Sequence, residues 1–229
     1  MQAYLAAVWA VVWKDLKIEG RTRQSISVMV MFSLVTIIMF NFALGTDLDA
    51  ARGVATGLLW TTILLAAILG LNRSLALDRE NQVFDALLIA PMPRTALYLG
   101  KVVSVTLFTL LLEAILVVLF TVFFNEPFYQ LPVLLVLFLG TIGYIAVGVL
   151  ITSMTIQARS REVLLPVLLL PASLPLVLPA AQAVAAYVTA TGPDDPILAS
   201  VRSAIFLVLA YDLLMVAVGL LTYHYVVES

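Results

Sequence analysis

Residues 101–124 read KVVSVTLFTLLLEAILVVLFTVFF. After Lys101 the stretch holds one ionisable side chain, Glu113. As a helix it rises about 36 Å at 1.5 Å per residue, enough to cross a hydrocarbon layer of about 30 Å. A lone strand would leave its backbone polar groups unpaired in lipid, so the pattern predicts a transmembrane helix. Five more apolar stretches repeat it, at 24–45, 53–77, 131–156, 163–190 and 198–226. Together they predict an all-α membrane protein with six transmembrane helices. A β-barrel would need many short alternating segments, and these runs are continuous.

Composition agrees. Hydrophobic residues make up 63% of the 229 positions and charged residues 11%, with a mean hydropathy of +1.11. Ordinary soluble domains are nearer half apolar and a quarter charged. A net charge of -2 and a pI near 5.3 give no basic footprint for nucleic acid. The chain has no cysteine, which excludes disulfides, thiolate metal sites and a cysteine nucleophile. Its single histidine, His224, cannot alone form a multi-histidine metal site. No repeat or linker marks a second domain, so one membrane domain is expected over 1–229.

Ahead of the first span, Leu5, Trp9, Val12 and Leu16 recur at helical spacing, with Lys14, Lys17 and Arg21 on the opposite side. Two readings stand: an amphipathic helix over about 1–23 lying in the membrane interface, or the cytoplasmic start of a long first span. A cleavable signal would put its positive charge before the apolar stretch, whereas here Lys14, Lys17, Arg21 and Arg23 follow it. Basic residues also flank the link between spans two and three (Arg73, Arg79, Arg94, Lys101) and that between four and five (Arg159, Arg161). The opposite side has only Arg52 and Arg202. The positive-inside rule then places both termini in the cytoplasm.

The longest cytoplasmic link runs LDRENQVFDALLIAPMPR over 77–94. Leu77, Asn81, Phe84 and Leu88 keep helical spacing, and Arg79, Glu80, Gln82 and Asp85 give a polar surface. Pro91 and Pro93 close it. A short amphipathic helix, Arg79–Ile89, is expected here. Two roles are open for it: packing the bundle, or docking a soluble partner.

Gly57–Trp60, then Asp78–Gln82, Leu87–Pro93 and Leu99–Lys101, are followed by RSREVLLPVLLLPASLP over 159–175. With its second-span tryptophan and a lysine opening the third span, this order resembles the CcmB haem exporter permeases of cytochrome c maturation. Asn81-Gln82 stands where that family commonly has Asp/Glu-Gly, and Ser160, Arg161 and Glu162 where it often has glycines. The resemblance implies an ABC-2-like transmembrane subunit of a bacterial inner-membrane transporter. It implies three protein partners: a separate ABC ATPase, a haem-handling membrane subunit and a second copy of the chain. ATP would bind the partner, haem would be the cargo, and Asp78, Arg79, Glu80, Gln82, Phe84 and Asp85 would couple to the ATPase. Whether ATP drives haem transport or the release of a haem-loaded chaperone stays open. The sequence contains no phosphate-binding loop; Gly100-Lys101 is followed by valine and lacks the upstream glycine. Two other readings are an ABC-2 permease for lipid, polysaccharide or drug, and a non-transporting membrane scaffold.

Within the spans, Glu113 and Asp212 are carboxylates at membrane depth, where ionisable groups are costly and face protein or water. Each is open to two readings, a contact on a substrate or partner path and a hydrogen-bonded structural group. Pro166, Pro171, Pro175 and Pro179 all fall in the fifth span and are expected to kink or break it, as a hinge or as a static bend. His224, between Tyr223 and Tyr225, is read as an interfacial anchor in preference to a haem ligand.

Overall fold

The computed structural model describes residues 2–45, 48–80, 93–155, 161–190, 192 and 195–228. Its long helices are α1 (Gln2–Thr22), α2 (Gln24–Leu44), α3 (Leu48–Glu80), α4 (Arg94–Phe124), α5 (Leu131–Thr155), α6 (Arg161–Thr189) and α7 (Val201–Glu228). A 3-10 turn, Pro196–Ser200, leads into α7. Among the described residues there is no strand. The six helices after α1 are each long and apolar enough to cross a membrane.

The chain turns sharply between α1 and α2. Arg23 has φ 52°, in the left-handed region that non-glycine residues seldom adopt. Glu19 fixes the turn: its carbonyl accepts from the Arg23 amide at 2.7 Å. Its carboxylate accepts from the amides of Ser25 (3.3 Å) and Ile26 (2.9 Å). Those amides belong to the otherwise unpaired first turn of α2, where a negative charge is also favourable. Of the two readings of the N-terminus, the structure therefore has a separate helix.

The apolar residues of α1 divide between two faces. Val11, Val12, Asp15 and Glu19 are buried, while Leu5, Trp9 and Trp13 stay exposed. The helix has three stripes, one against α4, one apolar and outward, and one basic. Two acids share the inner stripe with valines, so apolar periodicity alone does not find it. Close contact with α4 depends on Gly100, where a Cβ would fall 2.6 Å from Val11 Cβ. Small residues permit such approach, which matters in lipid where tight packing drives association.

Helix α5 is the centre of the bundle, packed on α4, α6 and α7. Buried side chains from all seven helices form its apolar core. By contrast α2 turns Met31, Val35, Ile38, Met39 and Phe42 outward. Helix α4 begins at Arg94, seven residues before the predicted span. Pro93 precedes it with φ −61° and ψ 133°, and its carbonyl accepts the Ala96 amide at 2.9 Å. Lys101 is thus two turns inside the helix. Helix α6 stays a single helix through its four internal prolines. Of the expected kink or break there is no break, and each proline still removes an amide from the ladder.

Candidate functional site

The link over 81–92 leaves α3 and enters α4. Beneath the ends of those two helices lies a buried polar node. Lys101 of α4 places Nζ 3.0 Å from Asp15 Oδ2 and 3.1 Å from Oδ1, both side chains only 4% exposed. Ser104 donates to Asp15 Oδ2 at 2.6 Å, and Lys101 donates to Ser74 Oγ of α3 at 3.4 Å. Lys14 sits at the rim, 2.8 Å from Asp15 Oδ1 and 22% exposed. Three helices therefore share one charge network. Burial alone would raise the Asp15 pKa. The cations Lys101 and Lys14, with hydrogen bonds from Lys14 and Ser104, outweigh that and hold it below the ordinary 3.8. The carboxylate stays ionised and the ion pair is maintained.

Sequence reading had set Lys101 among the exposed basic residues flanking the link, and it had missed Asp15. The signal for Asp15 was present. It lies four residues before Glu19 on the stripe that carries Val11 and Val12. An acid on such a stripe needs a cation from elsewhere, and Lys101 supplies it.

The expected docking segment is described only at its start. The backbone of Asp78, Arg79 and Glu80 is the last turn of α3, so these residues continue the second span and do not open a new helix. Gln82, Phe84 and Asp85 lie outside the described residues, as does the rest of the predicted Arg79–Ile89 helix. Near this end of the bundle Arg73 of α3 bonds Gln24 of α2. Tyr98 of α4 packs on Tyr223 of α7 with ring centres 5.2 Å apart, and Ser153 of α5 donates to the Tyr223 hydroxyl at 3.3 Å. Tyr223 is therefore part of the core, and His224 beside it is exposed. Among the described residues no group of three or more His, Cys, Asp or Glu could hold a metal.

Glu113 and Asp212 are both buried and do not pair. Glu113 accepts from the Thr141 hydroxyl of α5. Asp212 of α7 lies against Gly143 of the same helix, so closely that its Oδ1 fills the place of a Cβ. Positions two apart on a helix point to nearly opposite sides, so α5 stands between the carboxylates. Asp212 Oδ1 has no hydrogen-bond partner. Next to it, Tyr211 donates to the Ala172 carbonyl of α6 at 2.7 Å. Pro171 and Pro175, on either side of that carbonyl, are exposed, Pro166 is half-buried and Pro179 is buried.

A family model described as "CcmB protein" matches residues 6–220. The chain belongs to the CcmB family. Among curated relatives, "Heme exporter protein B" of Rhodobacter capsulatus is 29% identical over 172 residues, covering 74% of this chain and 78% of that protein. The protein of the same name from Paracoccus denitrificans is 29% identical over 176 residues, 76% and 81% of the two chains. That from Haemophilus influenzae is 28% identical over 174 residues, 73% and 76%. In this CcmB chain the second-span tryptophan, Trp60, is buried over Gly140 of α5. The lysine that the resemblance placed at the opening of the third span is the buried cation of the node.

Proposed function

We propose that the chain is the membrane permease subunit of an ATP-driven haem exporter serving cytochrome c maturation in the bacterial inner membrane. The observation that carries this reading is the CcmB match over 6–220, joined by relatives named for haem export. A separate ABC ATPase docks on the link over 81–92, using Asp78, Arg79, Glu80, Gln82, Phe84 and Asp85. A second copy of the chain and a haem-handling membrane subunit complete the assembly. Both termini and the link face the cytoplasm, as the basic residues favour.

The node gives the coupling a route. A push on the link moves the ends of α3 and α4, and Ser74, Lys101 and Ser104 tie those ends to Asp15 of α1. A conformational signal needs contacts that differ between two states. A dry ion pair is suited to this, because its energy depends steeply on distance when water is excluded.

Reversing charge at Glu80 and Asp85 tests the docking. The double lysine variant should still insert in the membrane but recover less ATPase on purification and stimulate less ATP hydrolysis. Unchanged recovery and unchanged hydrolysis would refute the docking role of the link.

A further inference from the structure

At the α1–α2 elbow a groove of about 620 Å³ opens between α1, α2 and α4. That size falls within the range of about 300–1,000 Å³ typical of small-molecule sites. Its wall on α4 is Leu107, Phe108 and Leu111, and its mouth carries Arg23, Ser27 and Gly20. Leu107 and Leu111 are 42% and 48% exposed, so the apolar wall is open at the side. The groove has a cationic end and an apolar body.

The polar end is unspent. Among the described residues Arg23 has no ion-pair partner. Its backbone is committed, donating to the Glu19 carbonyl and accepting from the Ser27 amide at 3.1 Å, and Arg23 and Ser27 both line the groove. Glu19 also lines the groove, but its carboxylate is turned to the Ser25 and Ile26 amides. A negative charge is favoured there by the first turn of α2. The acid is engaged by those amides and makes no ion pair with Arg23 among the described residues, which leaves the cation for an external anion. In a membrane protein an anion with an apolar tail is the complementary shape and charge.

We propose that this groove binds one anionic phospholipid of the leaflet on the basic side of the protein. Arg23 and Ser27 hold the headgroup phosphate, and an acyl chain lies along Leu107, Phe108 and Leu111. Gly20 keeps the groove open, since nothing lies within 4 Å of a Cβ added there. The lipid would wedge the elbow and set the angle between α1 and α2.

The test uses the purified full-length chain, delipidated in detergent and titrated with phosphatidylglycerol under native mass spectrometry. Three variants are compared. Arg23→Asn removes the cation while keeping a residue that tolerates a positive φ. Gly20→Leu fills the groove from open space without a backbone clash. Arg21→Gln removes an exposed cation on α1 that does not line the groove. A basic residue near an anionic lipid surface contributes about 1 kcal/mol, which is about fivefold in affinity. Arg23→Asn should therefore weaken the tightest phosphatidylglycerol site by about fivefold, and Gly20→Leu should abolish it. Arg21→Gln should leave it unchanged, and phosphatidylcholine should bind more weakly than phosphatidylglycerol. Equal losses in Arg21→Gln and Arg23→Asn would reduce the effect to general surface charge and overturn the site. Displacement of the lipid by equimolar inorganic phosphate would identify a small-anion site instead and overturn the lipid assignment. So would full lipid binding by Gly20→Leu at unchanged thermal stability.

Discussion

Asp15 and Lys101 offer the sharpest test of the node, because removing one partner and removing both should have opposite consequences. Each side chain is 4% exposed, and the distance between charges is 3.0 Å. Asp15→Asn keeps the size and an acceptor for Ser104 but removes the Asp15 charge from beside the Lys101 ammonium. Lys101→Met removes the buried cation and leaves the carboxylate with Lys14 at the rim and Ser104. Breaking a buried pair from one side costs about 3–5 kcal/mol, whereas replacing both members by apolar groups is often neutral or stabilising. The double variant Asp15→Leu with Lys101→Met should therefore be more stable than either single, with a coupling energy of about 3 kcal/mol or more. Lys14 lies at the rim and is 22% exposed, so Lys14→Gln should cost less than about 1 kcal/mol.

The cost need not appear as global unfolding, since α1 is peripheral and can open locally. A cysteine placed at Val11 reports that opening directly. The chain is otherwise cysteine-free, and Val11 is 1% exposed against Gly100. Where labelling follows the open population, 3–5 kcal/mol corresponds to a rise of about two to three and a half orders of magnitude in maleimide reaction rate. The rate would be measured in detergent and again in nanodiscs, for both singles and the double. Rises below about threefold in the singles, with simple additivity in the double, would refute the view that this ion pair holds α1 in place.

Three other outcomes follow from the same structure. Asp15 titrates below 3.8 because Lys101 and Lys14 overcome the effect of burial, so its contribution is complete above that pH and disappears as pH falls through the lower folded-state value; the stability gap between wild type and Asp15→Asn should hold from pH 7 to about 4 and close below 3.8 in acid-titrated thermal scans. Gly143→Ala should destabilise by about 1–3 kcal/mol, because its methyl group would occupy the place of Asp212 Oδ1, and adding Asp212→Ala should recover much of the loss; an unaltered midpoint for Gly143→Ala alone would contradict the close packing of α5 on α7. Pro171→Ala with Pro175→Ala should raise thermal stability, because interior prolines cost helices about 3 kcal/mol each when uncompensated, and should slow maturation of cytochrome c in cells if α6 acts as a hinge; normal maturation in a stabilised variant would remove the hinge role.

The six spans were legible because lipid imposes one requirement on every stretch: long, apolar and internally hydrogen-bonded. Span ends were less so. Arg94 starts a helix seven residues earlier than hydropathy suggests, because a charged first turn at the membrane surface is compatible with helix but invisible to an apolar count. The inner face of α1 was not legible for a related reason. Periodicity identifies which residues share a side, but Val11 and Val12 border both the apolar and the acidic stripe, and only α4 decides which stripe is inward. Lys101 looked like a flank residue because nothing local announces its partner, 86 positions away in the sequence. Glu113 and Asp212 stand out in the sequence as acids within apolar stretches, and their separation by α5 could come only from tertiary packing. The four prolines suggested a kink or a break, and α6 runs through them as one helix.

The distribution of polar groups supplies a final constraint on where force can enter the protein. At the link end, Lys14, Asp15, Ser74, Lys101 and Ser104 connect α1, α3 and α4 in one network. At the opposite end Arg52 pairs with Glu126 at 3.1 Å, a contact worth little in water because the Arg52 side chain is 42% exposed. Between them, Glu113 has one described partner and Asp212 Oδ1 has none. A network of short directional bonds transmits displacement among helices, while apolar contacts in lipid allow them to slide. The described charge network therefore lies at the α3–α4 end, while Tyr211 ties α7 to the Ala172 carbonyl of α6 and Ser153 ties α5 to Tyr223 of α7. A partner docking on the link would meet α1, α3 and α4 joined in one unit by that network.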